Sequence, residues 1–193
     1  MITAVILAAG ESKRMGQPKM LLPWGNETVL THVISVFQSA GVEDILIVTG
    51  GAREQVEGLL SSMHVRTMYN EEHASGEMLS SIQCGIRSLT RQTQAGLIGL
   101  GDQPQVQERS VRSVCEAYLA SKSNLVVPSY RMRRGHPWLV AHPLWEALLA
   151  MKSPQSPRDF LNAHREEISY VEVDDPNILA DLDTPEDYQR WHP

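Results

Sequence analysis

Three cations and a run of small residues stand close to the amino terminus. The stretch Ala8-Ala9-Gly10-Glu11-Ser12-Lys13-Arg14-Met15-Gly16-Gln17-Pro18-Lys19 puts Lys13, Arg14 and Lys19 within seven residues, against the one acid Glu11. Small residues let a backbone approach a ligand closely, and successive N–H groups can cradle phosphate oxygens. This is neither a dinucleotide fingerprint nor a P-loop. It has no G-x-G-x-x-G, and no Lys-Ser/Thr pair follows the second glycine. An ordinary glycine turn with solvated cations has a similar composition, but three cations directly after an apolar run favour phosphate.

Carboxylates that suit a divalent cation come from two other places. Gly99-Leu100-Gly101-Asp102-Gln103-Pro104 ends an apolar run with an aspartate, and Mg²⁺ takes one or two carboxylates plus substrate oxygens. Gly-Asp before a proline is also common turn material. The second place is Asp181-Leu182-Asp183-Thr184-Pro185-Glu186-Asp187-Tyr188. Thr184 reads as a helix N-cap, Pro185 as the first helical residue and Asp187 as the third, a capping arrangement. Asp183 stands just ahead of the helix. Asp181 points the same way if the stretch is extended, which makes it the second choice.

The elements that must position these residues alternate along the chain. Ala4-Val5-Ile6-Leu7, Ile45-Leu46-Ile47-Val48, residues 65–69, Leu97-Ile98-Gly99-Leu100 and Leu125-Val126-Val127 are short apolar runs bounded by turn residues, as strands buried on both faces require. Helical segments fall between them, at about 28–40, 53–60, 78–89 and 108–120. In the first, Val29, Val33, Val36 and Phe37 recur at spacings of three and four. Alternation of this kind predicts an α/β fold, Rossmann-like and three-layered, with a mainly parallel sheet between helices. Ligands in such folds sit beyond the carboxyl ends of the strands.

Composition narrows the function classes. The 193 residues carry 17 Lys and Arg against 23 Asp and Glu, a net charge of -6, which excludes a general nucleic-acid binder. Residues 166–193 hold nine of the acids and a single base, so the rest of the chain is slightly positive. No run approaches the roughly 18 apolar residues of a membrane span. The apolar start lacks a basic leader, so a cytoplasmic location is expected. Cys84 and Cys115 then read as reduced thiols, and the sequon at Asn26 carries no meaning. The seven histidines show no ligand spacing.

The first loop also carries a resemblance. Leu7-Ala8-Ala9-Gly10-x-Ser12-x-Arg14-Met15-Gly16-x-x-Lys19-x-Leu21-Leu22 resembles the signature of the nucleotidyltransferases that join a nucleotide to molybdopterin. Within that group it is similar to the molybdenum cofactor cytidylyltransferases, which have Ala-Ala-Gly where the guanylyltransferase branch has Ala-Gly-Gly. Leu22-Pro23-Trp24, Thr28-Val29-Leu30 and matches running to the C-terminus fit the same branch. The resemblance implies one nucleotidyltransferase domain over residues 1–193, with a nucleotide-diphospho-sugar transferase-like (glycosyltransferase-A-type) fold.

The implied reaction is attack by the terminal phosphate of molybdopterin, or of its molybdenum-loaded form, on the α-phosphorus of CTP. It would need Mg²⁺, or Mn²⁺ in its place. Lys19 would offset charge on the α-phosphate and Arg14 would hold the β- and γ-phosphates, with Lys13 a solvated neighbour. Leu7, Ala8, Ala9 and Gly10 would line the nucleotide through their backbone, Ala9 setting the pocket for a pyrimidine. Asp102 and Asp183 would share the metal. Asn70 to Ser81 resembles the family's Gly-x-x-x-Ser segment near base and ribose, where Ser80 and Ser81 either bond the nucleotide or cap a helix.

On the acceptor side, Arg131, Arg133 and Arg134 precede Gly135-His136-Pro137, which also looks like the family. Arginine clusters suit phosphate, and a basic surface loop reads the same way. His136 reads as a residue that orients the loop. Ser156 and Asp159 read as a helix cap, with Arg158 able to reach the acceptor, and Trp24, Trp138 and Trp145 read as packing or as a pterin stack. The rival readings are a sugar or polyol phosphate as acceptor, GTP as donor, or a carrier of the molybdenum cofactor. The carrier would serve a xanthine-dehydrogenase-type enzyme, which is also the partner expected of a cytidylyltransferase.

Overall fold

The computed structural model describes residues 1–75 and 77–193. Among these residues the strands are β1 (Ile2–Ala8), β2 (Pro23–Trp24), β3 (Glu27–Thr28), β4 (Asp44–Thr49), β5 (Arg66–Tyr69), β6 (Ala95–Leu100), β7 (Leu125–Tyr130), β8 (Arg133–Arg134), β9 (Trp138–Ala141) and β10 (Ile168–Glu172). The α-helices are α1 (Val29–Ser39), α2 (Arg53–Leu60), α3 (Glu77–Arg87), α4 (Glu108–Ser121), α5 (Trp145–Ala150), α6 (Pro157–Ala163) and α7 (Pro185–Trp191). All five apolar runs are strands, and the four helical segments are α1 to α4.

The main sheet runs β10-β7-β9-β6-β1-β4-β5, with β8 as a hairpin partner of β7. The pairs β1–β4, β1–β6, β4–β5 and β7–β10 are parallel. Between β6 and β7, β9 runs antiparallel to both. Strand pairing of this kind is non-local, so the reversed β9 is not visible in its own four residues.

Side chains alternate across the sheet with the period of two that strands impose. Ala4, Ile6, Ile45, Ile47 and Leu97 join Leu30, Ile34 and Phe37 of α1, Val56 of α2 and Val111 and Val114 of α4 in one core layer. Val5, Leu7, Val48, Ile98 and Leu100 face the other way, against Leu79 and Ile82 of α3, Leu148 of α5 and Phe160 of α6. Trp138, also in this second layer, is almost fully buried. The result is a three-layer α/β sandwich.

A third cluster lies outside the sandwich. Met15, Leu22, Trp24 and Val29 pack around Leu182, with Tyr188 and Trp191 of α7 against them. It clasps the acidic C-terminal segment onto the loop that follows β1. No helix among the described residues is long and apolar enough to cross a membrane.

Candidate active site

The sheet order puts β4 on one side of β1 and β6 on the other. A crevice opens at such a switch in strand order, beyond the carboxyl ends. Residues 9–19 and Asp102 therefore emerge side by side, with Leu7 paired to Leu100 and Gly101 N–H donating to Leu7 O at 2.9 Å. A Cβ at Gly101 would sit 3.1 Å from that oxygen and from Met20 Sδ. The loop after β4 closes in as tightly. A Cβ at Gly50 would lie 2.3 Å from Ala9 O, so only glycine permits this approach.

The phosphate-loop candidate is drawn into a compact turn by its own side chains. Ser12 takes a left-handed backbone (φ 52°) and its hydroxyl accepts the Lys19 N–H at 3.1 Å. Gly16 takes φ 67°, a conformation glycine adopts without strain. Lys13 is exposed beside Glu11, a solvated neighbour as expected. Lys19 starts a single 3₁₀ turn and is only 8 % exposed.

The Lys19 ammonium faces two carboxylates. It contacts Asp102 Oδ2 and donates to Asp183 Oδ1 at 3.2 Å. Arg14 Nη2 donates to the other oxygen of Asp183 at 2.8 Å. Burial pushes the Lys19 amine down, and the Asp102 carboxylate, with Asp183 assisting, more than reverses this, so its pKa lies above that of an ordinary lysine. Lys19 is charged at neutral pH.

This donor set fits a divalent cation. Two hard carboxylates from different loops converge on one positive charge, here the chain's own ammonium. Among the described residues no cluster of three or more His, Cys, Asp or Glu side chains suits a metal, so further ligands would come from phosphate oxygens and water, as is usual for Mg²⁺. Asp181 meets solvent on its outer surface. Burial of its carboxyl raises its pKa, the charges of Asp102 and Asp183 raise it further, and a hydrogen bond from Gln103 opposes them.

Ser80 and Ser81 are neither exposed nor caps. Both are buried in α3, and Asn70 Nδ2 donates to their hydroxyls at 2.9 and 3.0 Å. Asn70 Oδ1 accepts the Glu72 N–H, which fixes the connection into the helix. Gly76, the glycine of the Gly-x-x-x-Ser segment, lies outside the described residues.

A cavity of about 1140 Å³ opens at the same end of the sheet, bounded by Met78, Ser129, Arg133, Arg134, His136 and Arg158 among others. It gathers all four acceptor-side candidates. Arg134 is engaged with protein: Nε donates to Tyr170 Oη at 2.9 Å and Nη1 to Asn162 Oδ1 at 2.8 Å. Arg131 stacks on Tyr130. For Arg133 and Arg158 no hydrogen-bond or ion-pair partner occurs among the described residues. His136 keeps an edge toward the surface, yet burial lowers its pKa to about 4, so it is neutral near pH 7. Its backbone N–H donates to Ile178 O at 3.0 Å.

The tryptophans serve packing. Trp24 sits in the C-terminal clasp, Trp138 is buried against Phe160, and Trp145 Nε1 donates to Val140 O. Ser156 with Asp159 and Thr184 with Asp187 form capping boxes on α6 and α7. A smaller cavity of about 800 Å³ lies at the amino ends of the strands, beside Met1, Ile2 and Asp44, away from the site. Sequence reasoning missed Ser12 as the brace of Lys19, Asn70 as the anchor of the serines, and Gln103. Ser12 and Asn70 find their partners within the same motif, where spacing alone marks no contact, and the partner of Gln103 lies 78 residues away.

Comparison with known proteins shows the family. Residues 4–168 match the family model described as MobA-like NTP transferase domain, a span that includes Lys19 and Asp102 and stops short of Asp183. The molybdenum cofactor cytidylyltransferase of Escherichia coli (strain K12) is 29 % identical over 191 residues, covering 97 % of this chain and 93 % of that protein. Nicotine blue oxidoreductase of Paenarthrobacter nicotinovorans is 28 % identical over 197 residues, covering 98 % and 95 %. The crystal structure of Rv0371C in complex with manganese, from Mycobacterium tuberculosis H37Rv, superposes with a TM-score of 0.83 at 26 % identity, covering 99 % of this chain and 97 % of that one. The match takes in most of the sandwich and the loops that bear Lys19 and Asp102, and on it this chain is a nucleotidyltransferase of the MobA-like NTP transferase domain family.

Proposed function

We propose that the protein transfers CMP from CTP to the terminal phosphate of molybdopterin, or of its molybdenum-loaded form, with release of pyrophosphate. The observation that carries this reading is the convergence of Lys19, Arg14, Asp102 and Asp183 at the carboxyl ends of β1 and β6. Similarity to the cytidylyltransferase over nearly the whole chain supports the choice of nucleotide and acceptor.

In this reaction an acceptor phosphate oxygen forms a bond to the α-phosphorus. The bond from that phosphorus to the bridging oxygen breaks, and pyrophosphate leaves with the electron pair. The attacking oxygen is already anionic, so no side-chain base is required. What the protein supplies is alignment and charge. Lys19 neutralises charge that grows on the α-phosphate, and Arg14, with its fork of donors, holds the outgoing phosphates. Asp102 and Asp183 would hold Mg²⁺ or Mn²⁺, which supplies Lewis-acid neutralisation of phosphate charge.

Leu7, Ala8, Ala9 and Gly10 offer backbone to the nucleotide. The cavity at Arg133, Arg134, His136 and Arg158 receives the acceptor, with Arg133 and Arg158 as its cations that have no side-chain partner among the described residues. Arg134 shapes the wall through Tyr170 and Asn162. A xanthine-dehydrogenase-type enzyme is the recipient this product implies.

The test is an acceptor panel with α-labelled CTP. Label appearing on molybdopterin supports the reading. Label appearing only on sugar or polyol phosphates contradicts it, as does retention of the molybdenum cofactor with no release of pyrophosphate.

A further inference from the structure

Asp183 poses a placement problem that Asp102 does not. Asp102 follows β6 at once, so the register of the sheet sets where it emerges. Asp183 lies in residues 180–183, which form neither helix nor strand. Its position relative to Asp102 must be set by contacts outside the sheet.

Three hydrogen bonds fasten residues 180–182 to the loop after β6. Leu182 N–H donates to Asp102 O at 3.1 Å, Gln105 Nε2 to Ala180 O at 2.7 Å and Gln103 Nε2 to Asp181 Oδ1 at 2.7 Å. From the other side, Asp187 of α7 accepts the Asp183 N–H at 3.3 Å. The Gln103 bond alone joins two side chains. It is short and charge-assisted, and its donor is buried. Gln103 also adjoins Asp102 in sequence, so one residue couples the two carboxylate-bearing segments. Asp181 lies within the field of Asp102, Asp183 and Lys19. Released from the amide, it would compete with Asp183 for any cation there.

We propose that Gln103 is a positioning residue: by holding Asp181 it sets the Asp183 carboxylate opposite Asp102 for a shared divalent cation, without itself touching cation or substrate. The inference rests on the reading of Asp102 and Asp183 as the cation's ligands.

The experiment is Mn²⁺ binding to the full chain without nucleotide, followed by electron paramagnetic resonance. Gln103→Ala is expected to weaken binding by about tenfold or more, the range for residues that orient metal ligands. The double variant Gln103→Glu with Asp181→Asn restores the hydrogen bond with its polarity reversed and is expected to recover most of the lost affinity. Should Gln103→Ala fail to fold, Gln103→Asn, whose amide stops short of Asp181, is expected to show the same loss. Wild-type affinity in the folded single variants overturns the inference. So does a double variant as weak as Asp181→Asn alone, since Asp181 would then be a ligand itself. A wild-type chain that binds no Mn²⁺ removes the ligand reading and this inference together.

Discussion

The Lys19 ammonium donates to Asp183 at 3.2 Å across 164 residues of sequence, and on its other side it touches Asp102. On the function proposed above, one positive charge thus stands where a nucleotide's metal and its α-phosphate would both need access. Nucleotide and cation together would relieve Lys19 of its two carboxylates and leave it free for phosphate.

Replacing Lys19 by alanine is therefore expected to lower turnover by at least about tenfold, the lower end of what one preorganised electrostatic contact supplies. Pyrophosphate release under saturating substrate measures it. Near-normal turnover would take Lys19 out of the mechanism.

Asp102→Ala is expected to abolish metal-dependent activity and to remove most Mn²⁺ affinity in calorimetric titration. Losing one of two carboxylates also leaves the buried Lys19 with the partly exposed Asp183 as its remaining acidic partner. Full activity in this variant would contradict the shared-cation arrangement.

His136 links stability to pH. Its pKa is near 6.5 when unfolded and about 4 in the fold, where burial disfavours the charged ring. Between those values the unfolded chain binds the proton and the folded one does not, so stability falls as pH drops through that window. The effect amounts to about 3 kcal/mol by pH 4, and is absent above roughly pH 7. Urea unfolding of wild type and His136→Gln across pH 4 to 7 checks it: the variant is expected to lose less stability on acidification. Parallel curves would contradict the account.

Thr184 caps α7 by accepting the Asp187 N–H. Thr184→Ala is expected to cost about 1 kcal/mol, read as a lower urea midpoint, and Thr184→Ser much less. An equal loss in both variants would count against the cap.

Much of this was legible in local sequence. Apolar runs and helical spacing located five strands and four helices, because burial on a sheet leaves its period in the residues themselves. The capping residues Ser156 and Thr184 were readable because a cap and its partner lie three residues apart. The antiparallel β9 was not, since its direction follows from neighbours that are distant in the chain. Asp183 was named through resemblance, but its meeting with Lys19 depends on Leu182 filling a pocket made by Met15, Leu22, Trp24 and Val29. Net charge was a poor guide to where cations gather: Lys13, Arg14 and Lys19 sit in one loop and Arg133, Arg134 and Arg158 at one cavity, inside a chain of net charge -6.

The most direct measurement of the central claim is product identity. Purified protein is incubated with Mg²⁺, the molybdenum cofactor and each nucleoside triphosphate in turn, and the product is identified by mass. The account expects the cytosine dinucleotide with stoichiometric pyrophosphate, and little product from GTP, as the reading of Ala9 as the residue that sets the pocket for a pyrimidine requires. A guanine dinucleotide as the main product, or no dinucleotide with any triphosphate, would contradict it.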